Sequence, residues 1–377
     1  MAAVLAAIIG DKQERSATKA PNSPRQSEMV KLHHLYPEEG VHGFVSRDLA
    51  PSLSIDSGDR VVFQTLDSGW GAVEQIRNFS KPREFRPRDL GREVAHALTG
   101  PVEIRGARPG MTLEIQLRRI RPGNWGWSAG SELPAQLDRR LGLANGATGP
   151  PALIRVPRGA EATYWELQPD RRIGISRSGY RLRLKPFMGI MGMPLDQSGI
   201  QSTFPPTACG GNLDCKDLIE GSTLFLPIAV DGGLFFTGDG HAVQGDGEVA
   251  GPALNCPMEV EMEFSVRRDL AMALPRARTR EGWLTFGFHP DLDEAAAIAT
   301  VEMLKLMAEL YGLSSKDALS MASLVVHLRV TQIVNGVRGV HAILPHGALE
   351  PLNKIPKRPS TSRTRREKVG GPSRRPK

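Results

Sequence analysis

Residues 111–120 read MTLEIQLRRI, and residues 259–266 read EVEMEFSV. In the first stretch Leu113, Ile115 and Leu117 alternate with polar residues, and in the second stretch three apolar residues alternate with three glutamates. Because successive side chains of an extended strand point to opposite faces, this period of two indicates half-buried β-strands. Two such strands would each place one apolar face against a common core.

Around these stretches lie short apolar runs that are bounded by glycine and proline. Residues 222–230 read STLFLPIAV and residues 233–240 read GLFFTGDG, which is typical of buried strands. The chain of 377 residues contains 40 glycines and 29 prolines, so many turns are expected between short strands. Recurring short strands with turn signals favour a jelly-roll-like β-sandwich.

Two helices are predicted near the C-terminal end. Residues 293–310 contain neither glycine nor proline, and Ser314 with Asp317 forms a capping signature for a second helix that runs to about His327. Residues 328–345 then return to β-branched residues around an Asn-Gly pair, which is typical of a hairpin. The predicted apolar stripe of the first helix is Ile298, Val301, Leu304 and Leu310. Its predicted solvent-exposed face carries Glu302, Lys305 and Glu309.

These patterns predict a mostly β protein with an α+β portion. The expected organisation is a flexible extension at residues 1–28, a β-sandwich catalytic region at 29–270, a helix-containing portion at 271–350 that packs on the sandwich, and a disordered basic tail at 351–377. The segment between Arg121 and Arg172 shows neither period, so no element is assigned there.

The positive charge of the chain is concentrated at its C-terminal end. The formal net charge is +7, but residues 354–377 contain ten Lys or Arg and one Glu, which is +9 and leaves −2 for the rest. A stretch so rich in Pro, Ser and Gly is predicted to be disordered. We therefore expect no nucleic-acid partner apart from contacts of this tail, which also lacks interleaved aromatic residues.

Three cysteines are too few for a disulfide framework in a chain of this length, and a reducing cytoplasm is the simpler expectation. No stretch approaches 18 consecutive apolar residues, so no membrane partner is expected. The apolar start of the chain lacks a preceding basic region and is a poor secretory signal.

Residues 238–248 read GDGHAVQGDGE and concentrate polar side chains on a glycine-rich backbone. Glycine and aspartate are ordinary turn residues, so a polar hairpin is the simplest interpretation. However, Asp239 and His241 are two residues apart and would share one side of an extended strand, as half of a zinc-like site. Gln244 and Glu248 follow across a bend and could return to the same point. The spacing does not fit an EF-hand, although a calcium ion remains an alternative.

Residues 208–217 read ACGGNLDCKD and form a second polar group. Asn212 and Asp214 again have a spacing of two, with glycines beside them that allow close approach of the backbone. Cys215 stands next to Lys216, which suggests a thiolate nucleophile as an alternative mechanism. The ordinary interpretation of a cysteine here is a small buried apolar residue.

Two further candidates lie nearer the N-terminus. His42 stands in the sequence VHGF, and Asp67 follows a predicted strand in TLDSGWG. A lone histidine is more often structural than a ligand, so these two residues are weaker candidates than the glycine-rich pairs.

Taken together, these motifs resemble the acetamidase/formamidase family. The resemblance rests on residues 54–71, 99–115, 210–248 and 328–345, and it covers nearly all of the patterned chain. It implies a β-sandwich of jelly-roll type with an added α+β portion, hydrolysis of a short linear amide, and a homo-oligomer. Residues 121–199 and the basic tail depart from the pattern, so substrate size is not indicated.

The hypothesis from the sequence is an amidohydrolase that acts on a small amide with a divalent, zinc-like ion. Asp214, Asp239 and His241 would hold the ion, with Asp67 or His42 completing the set. Glu248 would be the general acid and base, and Asn212 or Gln244 would orient the amide. Two alternatives remain open at this stage, a cysteine-nucleophile amidase and a non-catalytic β-sandwich that binds a metal.

Overall fold

The structure is a computed structural model, and it describes residues 30–71, 84–130, 140–141 and 162–350. The predicted extension at 1–28 and the basic tail at 351–377 lie outside the described residues. The strands are β1 Leu32–Leu35, β2 Val41–His42, β3 Leu53–Ile55, β4 Arg60–Thr65, β5 Leu98–Ile104, β6 Thr112–Pro122, β7 Trp125–Ala129, β8 Ala162–Gln168, β9 Ile173–Ser176, β10 Arg181–Arg183, β11 Phe187–Gly192, β12 Pro206–Thr207, β13 Gly210–Asn212, β14 Thr223–Pro227, β15 Phe235–Val243, β16 Leu254–Asn255, β17 Met258–Arg267, β18 Arg276–Arg278, β19 Gly282–His289, β20 His327–Asn335 and β21 Val337–Pro345. The helices are α1 Pro37–Gly40, α2 Leu292–Tyr311 and α3 Ser315–Val325, and a 3₁₀ turn spans Pro169–Arg171.

Over the described residues, these strands form two sheets. The first has nine strands in the order β1-β4-β17-β6-β14-β18-β19-β21-β20. The second has twelve strands, nine of them in the order β10-β9-β8-β7-β16-β15-β11-β13-β12, with β5 pairing to β15 and carrying β2 and β3. The predicted mostly β fold is confirmed. The strands that follow residue 270 continue the first sheet, and the boundary proposed there stays a prediction.

The alternating stretches that predicted the fold pair with each other. Strand β17 runs antiparallel to β6, with Met262 opposite Leu117 and Phe264 opposite Ile115. These four side chains are buried, whereas the glutamates between them are partly exposed. On the inner side Phe264 meets Phe235 of the second sheet, with ring centroids 5.0 Å apart. The apolar faces of the two sheets therefore pack against each other and form one core.

Helix α2 begins and ends within one residue of the predicted segment, but its predicted buried face is correct only in part, because Leu304 and Leu310 pack against the core and Val301 does not. Asp291 accepts hydrogen bonds from the first-turn amides, and Gly312 ends the helix with a φ of 67°. Val301 is 49% exposed, whereas Glu302, which was expected on the solvent-exposed face, is buried. The fully buried apolar residues of the helix are Ala295, Ala299, Met303, Leu306 and Met307.

The buried face differs from the prediction where α2 closely approaches β19. A β-carbon on Gly287 would lie 2.0 Å from the carbonyl oxygen of Ala295, and Thr285 Oγ1 donates to the carbonyl of Ala299 at 2.8 Å. Only small side chains fit where the helix passes Gly287 and Thr285, so Ala295 and Ala299 face the sheet at this point. No helix in the described ranges has the length and apolar character needed to cross a membrane.

The C-terminal hairpin matches its prediction. Helix α3 begins after Ser314, whose side chain accepts from the amide of Asp317. Strands β20 and β21 follow as an antiparallel pair around Gly336, which has a φ of 80°. Strand β20 also contacts the segment that follows β15, because the amide of Gly247 donates to the carbonyl of Thr331. The hairpin thus lies against the glycine-rich segment at 238–248.

Candidate functional site

Three of the predicted metal ligands come together in the structure. Asp214, Asp239 and His241 are all buried, and one ligand atom from each lies within 4.8 Å of the other two. Asp239 and His241 project from β15, and Asp214 follows β13. The intervening strand β11 joins the two sides, and the amide of Asp214 donates to the carbonyl of Gly189 on that strand.

The orientation of His241 is set by Gln244. The Gln244 amide nitrogen donates to the carbonyl of Asp214 at 2.8 Å, so its oxygen faces His241 Nδ1 at 2.9 Å. Because an amide oxygen only accepts, Nδ1 carries the proton, and in the neutral ring Nε2 presents a lone pair. That atom lies 3.2 Å from Asp239 Oδ1. Both ends of the Gln244 amide are therefore used in holding the site.

The cluster is rich in acceptors that lack donors. Asp214 Oδ1 and Asp239 Oδ1 are buried without a hydrogen-bond partner among the described residues. His241 Nε2, the ring nitrogen that is free to bind an ion, lies 3.2 Å from Asp239 Oδ1. Tetrahedral zinc with bonds of about 2.0–2.1 Å separates its ligands by roughly 3.3 Å, which is close to this spacing. Buried acceptors that face one another are stabilised by a cation between them, so the residues fit a bound metal.

The backbone around the cluster adopts conformations that favour glycine, although the residues are not glycine. Asp214, Asp239 and Glu248 have φ values of 47°, 52° and 44°. Such conformations cost roughly 1–3 kcal/mol each and tend to occur at functional sites. Of Asp214, Asp239, His241 and Glu248, all but the histidine thus depend on the surrounding structure to hold their backbone.

Gly189 on β11 makes room for these side chains. A β-carbon there would lie 2.8 Å from Asp214 Oδ1 and 2.9 Å from both His241 Cε1 and the Asp239 carbonyl oxygen. On β15, a β-carbon on Gly240 would lie 2.2 Å from Met258 Cγ. The glycines of this region are therefore required by close packing around the cluster, in addition to any role in turns.

Glu248 lies at the edge of the cluster and is buried. Its Oε1 is 3.9 Å from His241 Nε2. Burial, together with the nearby charges of Asp214 and Asp239, raises the pKa of Glu248 well above its ordinary value. A carboxyl group that stays protonated at neutral pH can donate a proton, which is the property expected of a general acid.

The pKa values of the two aspartates in the cluster are shifted in opposite directions. Burial and the charge of Asp239 raise the pKa of Asp214 to about 7, although His241 opposes this shift. Burial also acts on Asp239, but the charges of His241 and His96 outweigh it and lower its pKa to about 2. The pKa of His241 is raised because Asp239 and Asp214 outweigh burial. Asp239 is therefore the negative charge that anchors the site.

Two residues near the cluster were missed by the sequence analysis. His96 is buried, with Nδ1 2.8 Å from Thr203 Oγ1 and Nε2 3.9 Å from Asp239 Oδ2. Asn335 donates from Nδ2 to Asp214 Oδ2 across 121 residues of sequence. The sequence signal for Asn335 is its Asn-Gly pair, which by itself indicates only a turn. His96 has no distinctive local pattern.

The remaining predicted residues lie around the cluster rather than in it. Asp67 accepts from the amides of Gly69 and Gly71 and from Trp127 Nε1 at 2.9 Å, so its carboxylate organises a turn. The His42 ring packs against Phe44 and Phe236, and burial lowers its pKa to about 4. Among the described residues, neither Asp67 nor His42 belongs to the group of ligand atoms formed by Asp214, Asp239 and His241.

Asn212 stays close to the cluster through its position at the end of β13. Its side-chain nitrogen donates to the carbonyl of Phe204 at 3.1 Å, and its oxygen is buried without a partner in the described part of the chain. This free acceptor distinguishes Asn212 from Gln244, whose oxygen and nitrogen are both engaged.

A second group of potential ligands is Cys215, Asp217 and His341. Lys185 and Arg329 donate to the two oxygens of Asp217 at 3.0 and 2.9 Å. Burial opposes ionisation of Asp217, but hydrogen bonds and charges from His341 and Lys185 prevail and hold its pKa well below the ordinary value. Because two cationic side chains already neutralise this carboxylate, the group is a poor site for a metal ion.

The cysteines do not have the surroundings of a nucleophile. Burial raises the pKa of Cys209 to about 11, and burial together with Asp217 raises the pKa of Cys215 above its ordinary value. Lys216, the cation next to Cys215 in sequence, is paired with Asp246 at 2.8 Å. A reactive thiolate requires a lowered pKa, and the fold provides the opposite.

Comparisons with known proteins show the family to which the chain belongs. The sequence model of the Acetamidase/Formamidase family matches residues 33–194 and 194–346. The chain belongs to this family. It is 26% identical over 222 residues to an acetamidase of Mycolicibacterium smegmatis, which is 46% of this chain and 53% of that protein.

Other relatives extend the similarity. A Schizosaccharomyces pombe protein with a provisional formamidase name is 26% identical over 268 residues, 60% of this chain and 64% of the relative. The chain therefore spans between half and two thirds of these two relatives. The crystal structure of an acetamidase from Bacillus halodurans has a TM-score of 0.67 and 28% identity, over 83% of this chain and 97% of that structure. The family and the fold are shared over nearly all the described residues.

Proposed function

We propose that this protein hydrolyses a short linear amide to a carboxylate and ammonia, with a divalent, zinc-like ion held by Asp214, Asp239 and His241. The observation that carries the proposal is the set of buried acceptors without donors at the cluster, among the residues that the structure describes. Family membership supports amide hydrolysis, since relatives bear acetamidase and formamidase names. A bound ion of this kind polarises a carbonyl and lowers the pKa of bound water to about 7.

His96 is the best candidate to complete the ligand set, in place of Asp67 or His42. Its Nδ1 is held by the Thr203 hydroxyl, and its Nε2 faces the same aspartate that contacts His241. Zinc ligands are commonly oriented by such a second hydrogen bond. The presence of two histidines beside two aspartates also favours zinc over calcium, which prefers oxygen ligands.

Glu248 is assigned the proton transfers. Hydrolysis requires a proton to be removed from the attacking water and a proton to be delivered to the leaving nitrogen. Glu248 lies beside His241 and has a raised pKa, so it can serve as acid in one half of the reaction and base in the other. General acid–base catalysis of this kind contributes roughly 10²–10⁴-fold in rate.

Asn212, Gln244 and Asn335 have different proposed roles. The free buried oxygen of Asn212 is suited to accept a hydrogen bond from the amide nitrogen of the substrate. Gln244 is a positioning residue, because its amide fixes the ring of His241. Asn335 positions Asp214 by donating to Oδ2, which leaves Oδ1 for the ion.

The thiolate alternative is less favourable on this geometry. Cys215 is fully buried, and its thiol is held in the neutral form by burial and by Asp217, which raise its pKa. A non-catalytic metal-binding β-sandwich remains as a second class of function, and it predicts a bound ion without turnover. Assembly as a homo-oligomer and a cytoplasmic location are part of the same proposal, and sedimentation of the purified protein tests the first of these.

The decisive experiment combines elemental analysis of the purified protein with ammonia release from formamide, acetamide and longer amides. We expect about one divalent ion per chain, inactivation by a strong chelator and recovery on addition of metal. His241→Ala and Glu248→Gln should each lower kcat by at least about 10²-fold. Cys215→Ala should retain turnover and metal content.

Two results would contradict the proposal. Loss of nearly all activity in Cys215→Ala, with folding and metal content intact, would favour the thiolate mechanism. A bound ion with no turnover of any linear amide would favour the non-catalytic class.

A further inference from the structure

A cavity on the outer face of the nine-stranded sheet lies apart from the metal cluster. It has a volume of about 200 Å³. Its floor is formed by residues of five neighbouring strands, β17, β6, β14, β18 and β19, and Leu270 and Leu306 border it from a loop and from α2. The loop is held in place by Thr112 Oγ1, which donates to the carbonyl of Leu270 at 2.8 Å.

The floor combines an aromatic surface with positive charge. The rings of Phe225 and Trp283 are stacked, with centroids 6.1 Å apart and an angle of 27° between their planes. Arg278 stands opposite Trp283 in the antiparallel register of β18 and β19, so both side chains are on the same face. The aromatic surface and the guanidinium group are therefore neighbours in the cavity.

The arginines that line the cavity differ in their ion pairs. Arg267 pairs with Glu114 and with Asp269, each at 2.8 Å. Arg276 pairs with Glu309 through two contacts of 2.6 and 3.1 Å and lies 4.0 Å from Glu302. Of the three arginines in the lining, Arg278 alone has no ion pair among the described residues, so its guanidinium group is free to bind an anion. In addition, Nε of the buried Arg276 has no hydrogen-bond partner within the described ranges.

From these features we propose that the cavity binds a small monocarboxylate that has a planar apolar body. An apolar cavity of about 150 Å³ holds a benzene ring, so about 200 Å³ accommodates a ring with a carboxylate. The ring would stack on Trp283, and the carboxylate would accept hydrogen bonds from the Arg278 guanidinium. This site does not depend on the proposed amidase function.

Benzoate is the probe for this site, and isothermal titration calorimetry with the full-length protein is the measurement. We expect saturable binding with one site in this cavity, and binding of benzyl alcohol that is weaker by about tenfold or more because it lacks the charge. Arg278→Gln should weaken benzoate binding by about tenfold or more. Trp283→Leu should weaken it several-fold through the loss of ring stacking.

Two control variants test whether benzoate binds in this cavity and not elsewhere on the protein. Arg280→Gln removes an exposed arginine two residues further along the chain that does not line the cavity, and it should leave binding unchanged. Asp214→Asn alters the metal cluster, and it should also leave binding in this cavity unchanged. Thermal melts of each variant verify that folding is retained, and Arg278 is exposed, so its replacement is expected to fold.

The proposal is overturned by any of three results. The first is the absence of saturable benzoate binding. The second is equal affinity in Arg278→Gln and in Arg280→Gln. The third is loss of all binding in Asp214→Asn, which would assign the benzoate to the metal cluster instead.

Discussion

Replacement of Gly189 by alanine tests whether close packing around the proposed metal site of Asp214, Asp239 and His241 determines activity. Gly189 does not have a positive φ, so alanine is compatible with its backbone. The added methyl group would lie 2.8 Å from Asp214 Oδ1 and 2.9 Å from His241 Cε1. The substitution therefore changes the space beside the ligands without changing their chemistry.

The size of the effect follows from these distances. Ordinary contact of a β-carbon begins at 3.4 Å, so Asp214 Oδ1 must move by about 0.6 Å or β11 must yield by the same amount. A displacement of about 1 Å in a catalytic site can lower the rate by roughly 10²-fold. We therefore expect Gly189→Ala to lower kcat for a short amide by roughly 10–10²-fold. Overpacking should also cost about 1–3 kcal/mol of unfolding free energy.

The assay is ammonia release at saturating amide, measured together with bound metal and the thermal melt. Gly245→Ala is the matched control, because a β-carbon there meets nothing within 4 Å although the residue belongs to the same glycine-rich segment. We expect the control to keep wild-type turnover. Wild-type kcat and metal content in Gly189→Ala would refute the view that β11 holds the ligands at their required spacing.

Three further substitutions test other parts of the site. Asn335→Leu removes the donor to Asp214 and should lower metal affinity by about 10–100-fold in a chelator competition, and an unchanged affinity would contradict the positioning role. Asp217→Asn should lower stability by about 1–2 kcal/mol at neutral pH, since its partners are partly exposed. Because the folded pKa of Asp217 is lowered, its contribution is present above the unfolded pKa of about 3.9 and disappears as the pH falls through the folded value, so denaturant melts of the two proteins should converge in acid. Cys215→Ala should change kcat by less than about threefold, and a thiol reagent should leave the native enzyme active over the time of an assay.

The local sequence determined the elements and the local geometry of the site. Alternation at 111–120 and 259–266 predicted two strands that are now found paired, because burial of one face imposes a period of two. Caps at Ser314 and the Asn-Gly pair predicted a helix start and a hairpin, since each depends on neighbours within a few residues. The spacing of Asp239 and His241 likewise predicted that they share a side of one strand.

Only the tertiary structure decided which of these groups meet. Asp214 joins the β15 pair because β11 lies between β13 and β15, and no spacing along the chain encodes that strand order. Asn335 reaches Asp214 from a hairpin 121 residues away, and His96 enters from the segment before β5. The buried face of α2 was predicted only in part for the same reason, because close contact with Gly287 of β19 selects alanine at two positions that a stripe of large apolar residues does not predict. The local sequence pattern indicates the periodicity of hydrophobic residues within one segment. Packing between strands that are distant in sequence determines which side chains share a buried site.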